Sequence, residues 1–352
     1  MRRITISAVL GVLAALLGHR WLALGWNAWH YAVATPSART QVVVDGSHGY
    51  VAAGADGIEV IDLTANKRSI LLPPESPADR IDDLALAGGR LFALDATPPG
   101  HLMAYSLAQL DQLTPGEMVP VPVGPFSGVS AAAGVVAVSG GTSRLTLREY
   151  DRDGHLGTEV VTADFGRGQP DVALRPDGAM AAISTHLYGP EFAITFAEIR
   201  RRPLRLRALG QLRLREAGFT AGGFKPAHFP LVAAWRGDRV YVAGGGGLSV
   251  IDASDPTHPH LLMQDRRPLP ALDVVTTGEE LDVIRTGSRP AVFRYRLDHS
   301  GLPTPIDSWR LPLGSRPAAI ARHGADSLIT LQGRGWQIVP RNRFSPIPSV
   351  QP

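Results

Sequence analysis

The chain has 352 residues, 44% of them hydrophobic and 19% charged, with 38 Gly, 29 Pro and no Cys. That length holds one large domain or two ordinary ones around a buried core, and the composition is that of a folded chain. The lack of Cys excludes disulfides, thiolate metal sites, iron–sulfur clusters, c-type haem attachment, a cysteine nucleophile and a lipid-bearing cysteine. The net charge is only +3 and the cations are nearly all Arg, with Lys at Lys67 and Lys225 alone. Asp and Glu are interleaved with Arg almost everywhere, whereas a nucleic-acid binder concentrates cations on one face. No nucleic-acid partner is expected.

The first element is an export segment. Met1-Arg2-Arg3 is basic, and Ile4 to Gly18 then run uncharged and rich in Leu, Val and Ala. The run suits a signal-peptide core and is short for a spanning helix, which needs about 20 residues. Apolar character resumes in Trp21, Leu22, Leu24, Trp26, Trp29 and Tyr31, and indole rings favour the membrane–water boundary. Ala32-Val33-Ala34 fits a small-x-small cleavage site, so residues 1–34 read either as a signal peptide or as a retained anchor. Arg2 and Arg3 hold the N-terminus in the cytoplasm in both cases. The remainder, residues 35–350, is therefore expected in the periplasm or another extracytoplasmic space, tethered in the second case through residues 4–31.

Beyond residue 40 the sequence repeats. Gly49 to Asp62 and Val240 to Asp252 share one grammar: an aromatic-led apolar strand, a Gly-rich turn, a second strand and a closing Asp. The glycines tolerate positive φ, and the Asp can bond its own backbone two residues on and start the next turn. Weaker versions lead from Arg90–Asp95 to Leu102–Tyr105, from Val135–Val138 to Leu145–Tyr150 and from Met180–Ile183 to Phe192–Phe196. Two more lead from Leu281–Ile284 to Ala291–Tyr295 and from Ser327–Leu331 to Trp336–Val339. These seven units recur every 41 to 46 residues, apart from one interval of 61 between Met180 and Tyr241. In five units a further strand precedes the pair: Leu84–Leu86, Asp171–Leu174, Leu231–Ala234, Leu272–Val275 and Ala318–Ala321. A polar fourth strand is clearest where Leu204, Leu206, Leu212 and Leu214 alternate with Arg205, Arg207, Arg213 and Arg215, with Leu facing in and Arg facing water. Helical periodicity is confined to Leu107–Leu113.

Four short antiparallel strands per repeat of roughly 44 residues, seven times over, predict an all-β, seven-bladed β-propeller. Ring closure has two candidate pieces: Gln41–Val44 as the inner strand of the first unit, and Pro346–Val350 along the last. Tyr241 to Pro259, with Gly-rich turn, Leu248-Ser249-Val250-Ile251-Asp252 and Asp255-Pro256, resembles the LVIVD repeat, and Tyr50–Asp62 is similar without the later Asp-Pro. Ala173-Leu174-Arg175-Pro176-Asp177-Gly178 resembles the strand-turn-strand of YVTN-type propellers. The resemblance implies a seven-bladed propeller, often exported, commonly without a known activity, and carries over no catalytic residue.

Motifs for chemistry are few. There is no G-x-S-x-G elbow, H-E-x-x-H helix, P-loop or complete EF-hand loop. Asp151-Arg152-Asp153-Gly154, Gly244–Gly247 and His258-Pro259-His260 are better read as turns than as calcium, phosphate or metal sites. The Arg200–Arg215 cluster is better read as a solvated edge that resists sheet-to-sheet pairing than as an anion patch. Ligands of propellers meet the channel mouth, where loops reach the innermost strands. Those positions are Arg80, Asp82, Asp83, Asp171, His228, Asp273 and Arg316, which bring both charge signs to one ring and suit a polar ligand or a peptide. The expected function is a non-catalytic scaffold, exported or membrane-tethered in a bacterial cell envelope, that binds a protein, an envelope component or another ligand without a cofactor. The alternative is a lactonase-type hydrolase with a metal ion in the channel.

Overall fold

The apolar runs become short strands that double back on one another, because Gly, Pro, Asn and Asp turns bound each of them. The computed structural model describes residues 41–72, 80–108, 115–123, 127–140, 144–164, 170–186, 191–215, 232–244, 246–268, 270–287, 289–312, 315–331 and 335–347. The N-terminal residues read as an export segment, with their Trp residues and the Ala34 cleavage reading, lie outside these residues, as do His228 and most of Leu107–Leu113. Among the described residues no helix is long and apolar enough to cross a membrane.

Seven antiparallel sheets follow one another along the chain. The first is β1 (Val42–Asp45), β2 (His48–Ala52), β3 (Ile58–Asp62) and β4 (Lys67–Leu72). The second is β5 (Asp83–Ala87), β6 (Arg90–Asp95), β7 (His101–Ser106) and β8 (Pro115–Pro120). The third is β9 (Gly128–Ala132), β10 (Val135–Gly140), β11 (Arg144–Tyr150) and β12 (Leu156–Asp164). The fourth is β13 (Pro170–Leu174), β14 (Met180–His186), β15 (Glu191–Arg200) and β16 (Arg205–Arg215). The fifth is β17 (Val232–Arg236), β18 (Arg239–Gly244), β19 (Gly247–Asp252) and β20 (His260–Asp265). The sixth is β21 (Ala271–Thr277), β22 (Glu280–Arg285), β23 (Ala291–Leu297) and β24 (Pro303–Arg310). The seventh is β25 (Pro317–His323), β26 (Asp326–Leu331) and β27 (Gly335–Val339).

The first strand of each sheet packs beside the first strand of the next, and β25 returns to β1. Seven apolar clusters fill the seven joints between sheets. The closing one sets Val42, Val51, Ile61 and Leu63 against Ala319, Ala321 and Leu328. In the fifth sheet Tyr241, Leu248 and Val250 are completely buried, each worth about 1.5–3 kcal/mol of apolar burial. The chain is a seven-bladed β-propeller, as the repeat predicts. An inner strand exists in all seven blades, β1 and β9 completing the five read from sequence. Ser345–Pro346, here β28, pairs with Asp307 and Ser308 of β24 on the sixth blade, so Pro346 does not run along the seventh, and residues 348–350 of the expected closing piece lie outside the described residues.

The turns behave as their residues require. Asp62 Oδ1 accepts the backbone N–H groups of Thr64 and Ala65, and Asp252 Oδ1 accepts that of Ser254. One regularity escaped the sequence reading. In all six four-stranded blades the pairing of the third and fourth strands slips: at Val60/Ile61, Ala104/Tyr105, Arg148/Tyr150, Phe196/Ala197, Val250/Ile251 and Arg294/Tyr295. Such bulges bend a strand and add twist. In the fourth blade the slip divides β16. Leu204 and Leu206 pack towards the third blade, and Leu209, Leu212 and Leu214 towards the fifth.

Candidate channel-mouth site

Because every inner strand runs in the same direction, their starting residues gather at one end of the ring. The structure places Arg80, Asp82, Asp171, Asp273 and Arg316 there, at or just before β5, β13, β21 and β25. Their environments differ. Arg316 is exposed. Arg80 is partly exposed and sets Nη2 3.4 Å from Asp82 Oδ1. Asp82 is buried, and its Oδ2 accepts the N–H of Ala96 at 3.0 Å. Burial, aided by the nearby Asp95 charge, pushes its carboxyl above the ordinary value.

Asp83 and Asp273 share a different role. Asp83 Oδ1 accepts the N–H of Leu84, and Oδ2 accepts that of Val129 in the next blade at 2.7 Å. Asp273 Oδ1 accepts the N–H of Val274, and Oδ2 accepts that of Ile320 in the next blade at 2.8 Å. Each carboxylate thus staples its own inner strand to its neighbour's, and both are buried. Asp171 starts the same pattern by accepting the N–H of Val172 at 2.9 Å. The third-to-fourth joint uses a hydroxyl: Leu174 donates to Ser130 Oγ at 3.1 Å. Sequence reasoning set these acids at the entries to inner strands but could not show that two of them hold backbone.

It also missed Asp95, whose charge acts on Asp82, and the histidine facing it. Asp95 and His101 stand directly opposite one another on β6 and β7, with His101 Nδ1 3.8 Å from Asp95 Oδ2. The signal was an Asp closing one strand and a His opening the next across the Ala96–Gly100 turn.

A second charged group lies inside the joint between blades six and seven. Arg294 and Asp282 are fully buried and paired twice, at 2.9 and 3.0 Å. Asp282 Oδ2 also accepts from Arg322 Nη1 at 2.9 Å and Ser327 Oγ at 2.6 Å. Arg322 Nη2 reaches Glu280 at 2.6 Å, and the Arg294 guanidinium lies 4.1 Å over the Phe344 ring. This network clamps β22 and β23 to β25 and β26, and the chain after β27 lies across it.

The remaining motifs fall on turns. Asp151, Asp153 and His155 bring ligand-type atoms together, but on the exposed β11–β12 turn at the opposite end of the ring. There Asp151 Oδ1 already accepts the N–H groups of Asp153 and His155. His258 bonds Asp255 at 2.9 Å, and these contacts, led by the Thr257 hydroxyl, hold the Asp255 carboxyl down at about 2. His260 instead approaches Asp252. A Cβ on Gly247 would lie 2.2 Å from the Asp265 carbonyl oxygen, so that turn is packed against backbone. Arg200 and Arg207 both pair with Glu198, at 3.1 and 3.0 Å.

A closed ring of seven antiparallel sheets defines the class, a seven-bladed β-propeller. Residues 234–264, which form most of the fifth blade, match the LVIVD repeat, and the chain is a seven-bladed propeller carrying that repeat. No curated protein sequence matches the chain. Among solved structures it is similar to a chain of hydrazine synthase from Kuenenia stuttgartiensis, at 12% identity over 87% of this chain and 96% of that one, with a TM-score of 0.62. It is also similar to the Cps50 (Swd1) β-propeller domain of Myceliophteria thermophila, at 13% identity over 85% and 95%, TM-score 0.61. A chain of a mitotic checkpoint complex aligns at 12% identity over 87% and 93%, TM-score 0.60. These likenesses show the fold alone.

Proposed function

We propose that the protein is a non-catalytic binding scaffold, exported to a bacterial cell envelope and tethered there by its N-terminal apolar segment, with the channel mouth as its recognition face. The observation that carries this reading is the division of labour at the mouth. Buried carboxylates such as Asp83 and Asp273 fix the inner strands, while Arg316 is exposed and Arg80, beside Asp82, is exposed in part. A rim that carries guanidinium groups at its solvent face suits carboxylates or phosphates of a protein or envelope component. The tether rests on Arg2-Arg3 followed by the uncharged Ile4–Gly18 run.

The test uses the full chain expressed in bacteria. Protease added outside an intact inner membrane should digest the propeller, which should sediment with membranes. Arg80→Glu with Arg316→Glu should abolish crosslinks that the wild type forms to envelope components through a photoreactive group at the mouth. A propeller protected in the cytoplasm, or crosslinks indifferent to both charges, refutes the reading. A stoichiometric divalent metal in the purified protein would favour the lactonase-type hydrolase instead.

A further inference from the structure

The seventh blade has three strands among the described residues, where five of the others have four in inner-to-outer order and the sixth has four plus β28. The chain leaving β27 does not fill the fourth place, because it turns through Arg341–Arg343 and pairs β28 with the sixth blade. β27 pairs only with β26, so its outer edge shows no partner among the described residues. An open edge offers a row of backbone donors and acceptors to any extended chain, and stable folds cover it.

We propose that this edge is the docking site of the chain's own residues 29–35, laid antiparallel along β27 as the seventh blade's outer strand. The argument is order and length. In six joints the chain passes from an outer strand straight to the next inner strand, across intervals as short as Asp164 to Pro170 and as long as Arg215 to Val232. The repeat therefore assigns the outer place of blade seven to whatever precedes β1. Trp29-His30-Tyr31-Ala32-Val33-Ala34-Thr35 carries Trp, Tyr, Val and Thr at alternate positions, the residue types that suit strands, and Pro36 follows it. The interval from Thr35 to Val42 matches that from Arg310 to Pro317, seven positions in each case. Cleavage after Ala34 would sever this strand, so the docked state requires a retained N-terminus and seats the seventh blade nearest the apolar run. The inference stands whether or not that run is a membrane anchor.

The native chain has no Cys, so an engineered pair reports without background. Gln337→Cys is combined in the full chain, one at a time, with Cys at His30, Tyr31, Ala32 and Val33. Only the residue directly opposite Gln337 lies within disulfide reach, and successive residues alternate sides, so mild oxidation should link one of these positions within one chain and spare its immediate neighbours. Independently, Val33→Pro should lower the unfolding midpoint by several degrees, while Leu24→Pro leaves it unchanged. No linkage at any position, linkage between two chains, a mature protein beginning at Thr35, or a Val33→Pro midpoint equal to wild type would each overturn the proposal.

Discussion

Replacing Asp282 by Asn asks whether charge or shape holds the sixth blade to the seventh. The side chain keeps its volume but loses the charge that faces two guanidinium groups. Arg294 is completely buried and donates to Asp282 from Nε and Nη2 at 2.9 and 3.0 Å, and among the described residues its Nη1 has no hydrogen-bond partner. Breaking a buried pair from one side leaves an uncompensated cation and costs about 3–5 kcal/mol. Arg294→Met should cost less, about 2 kcal/mol, because Asp282 keeps Arg322 and Ser327 while only hydrogen bonds to one charge disappear. The double variant should fall short of the sum by about 1–3 kcal/mol, since both changes remove the same contact. Urea unfolding followed by tryptophan fluorescence measures all four proteins. A loss below about 1 kcal/mol for Asp282→Asn, or strict additivity in the double variant, would refute a charge-held joint.

Other expectations concern the staples, the turns and pH. Asp273→Ala strands the N–H groups of Val274 and Ile320 and should cost about 2–4 kcal/mol in the same assay, with Asp273→Asn costing less. Gly247→Ala meets both a φ of +97° and the Asp265 carbonyl, so it should lose more than about 2 kcal/mol. Gly46→Ala has φ +54° and open space, so it should lose only about 1 kcal/mol, and equal losses would contradict the close approach at Gly247. Asp82 has a raised carboxyl, so the fold holds that proton more tightly than the unfolded chain does. Its contribution is therefore greatest at acid pH and is lost as pH rises through the raised value. Asp82→Asn should remove that decline, and parallel stability curves for the two proteins from about pH 3 to 7 would show the shift to be absent.

The hairpins were legible because two of their units state the rule in full: Tyr50–Asp62 and Val240–Asp252 place apolar runs, glycines and the closing Asp in order. β9 was not, since Gly128-Val129-Ser130-Ala131-Ala132 has one β-branched apolar residue and no alternation, and its neighbours decide its fate. The staples were invisible for another reason. Asp83 and Asp273 look like rim charges in sequence, and only the approach of the next blade's N–H shows what they hold. The acid pair Asp82 and Asp95 comes together through strand pairing, which no local pattern announces. The β16 bulge leaves no mark either, because the Leu–Arg alternation keeps the same parity on both sides of it.

That bulge makes one outer strand a gasket for two seams. Were β16 a regular ladder, Leu212 and Leu214 would sit on the same side as Leu206, and the seam beside Trp235 would lose its apolar lining. Removing the single extra residue would relieve the bulge and leave Leu212 opposite Ile194 and Leu214 opposite Phe192 as they are, so both seams would keep their lining and only the added bend and twist would go. One unpaired residue is thus what lets a single alternating pattern serve both sides of the strand.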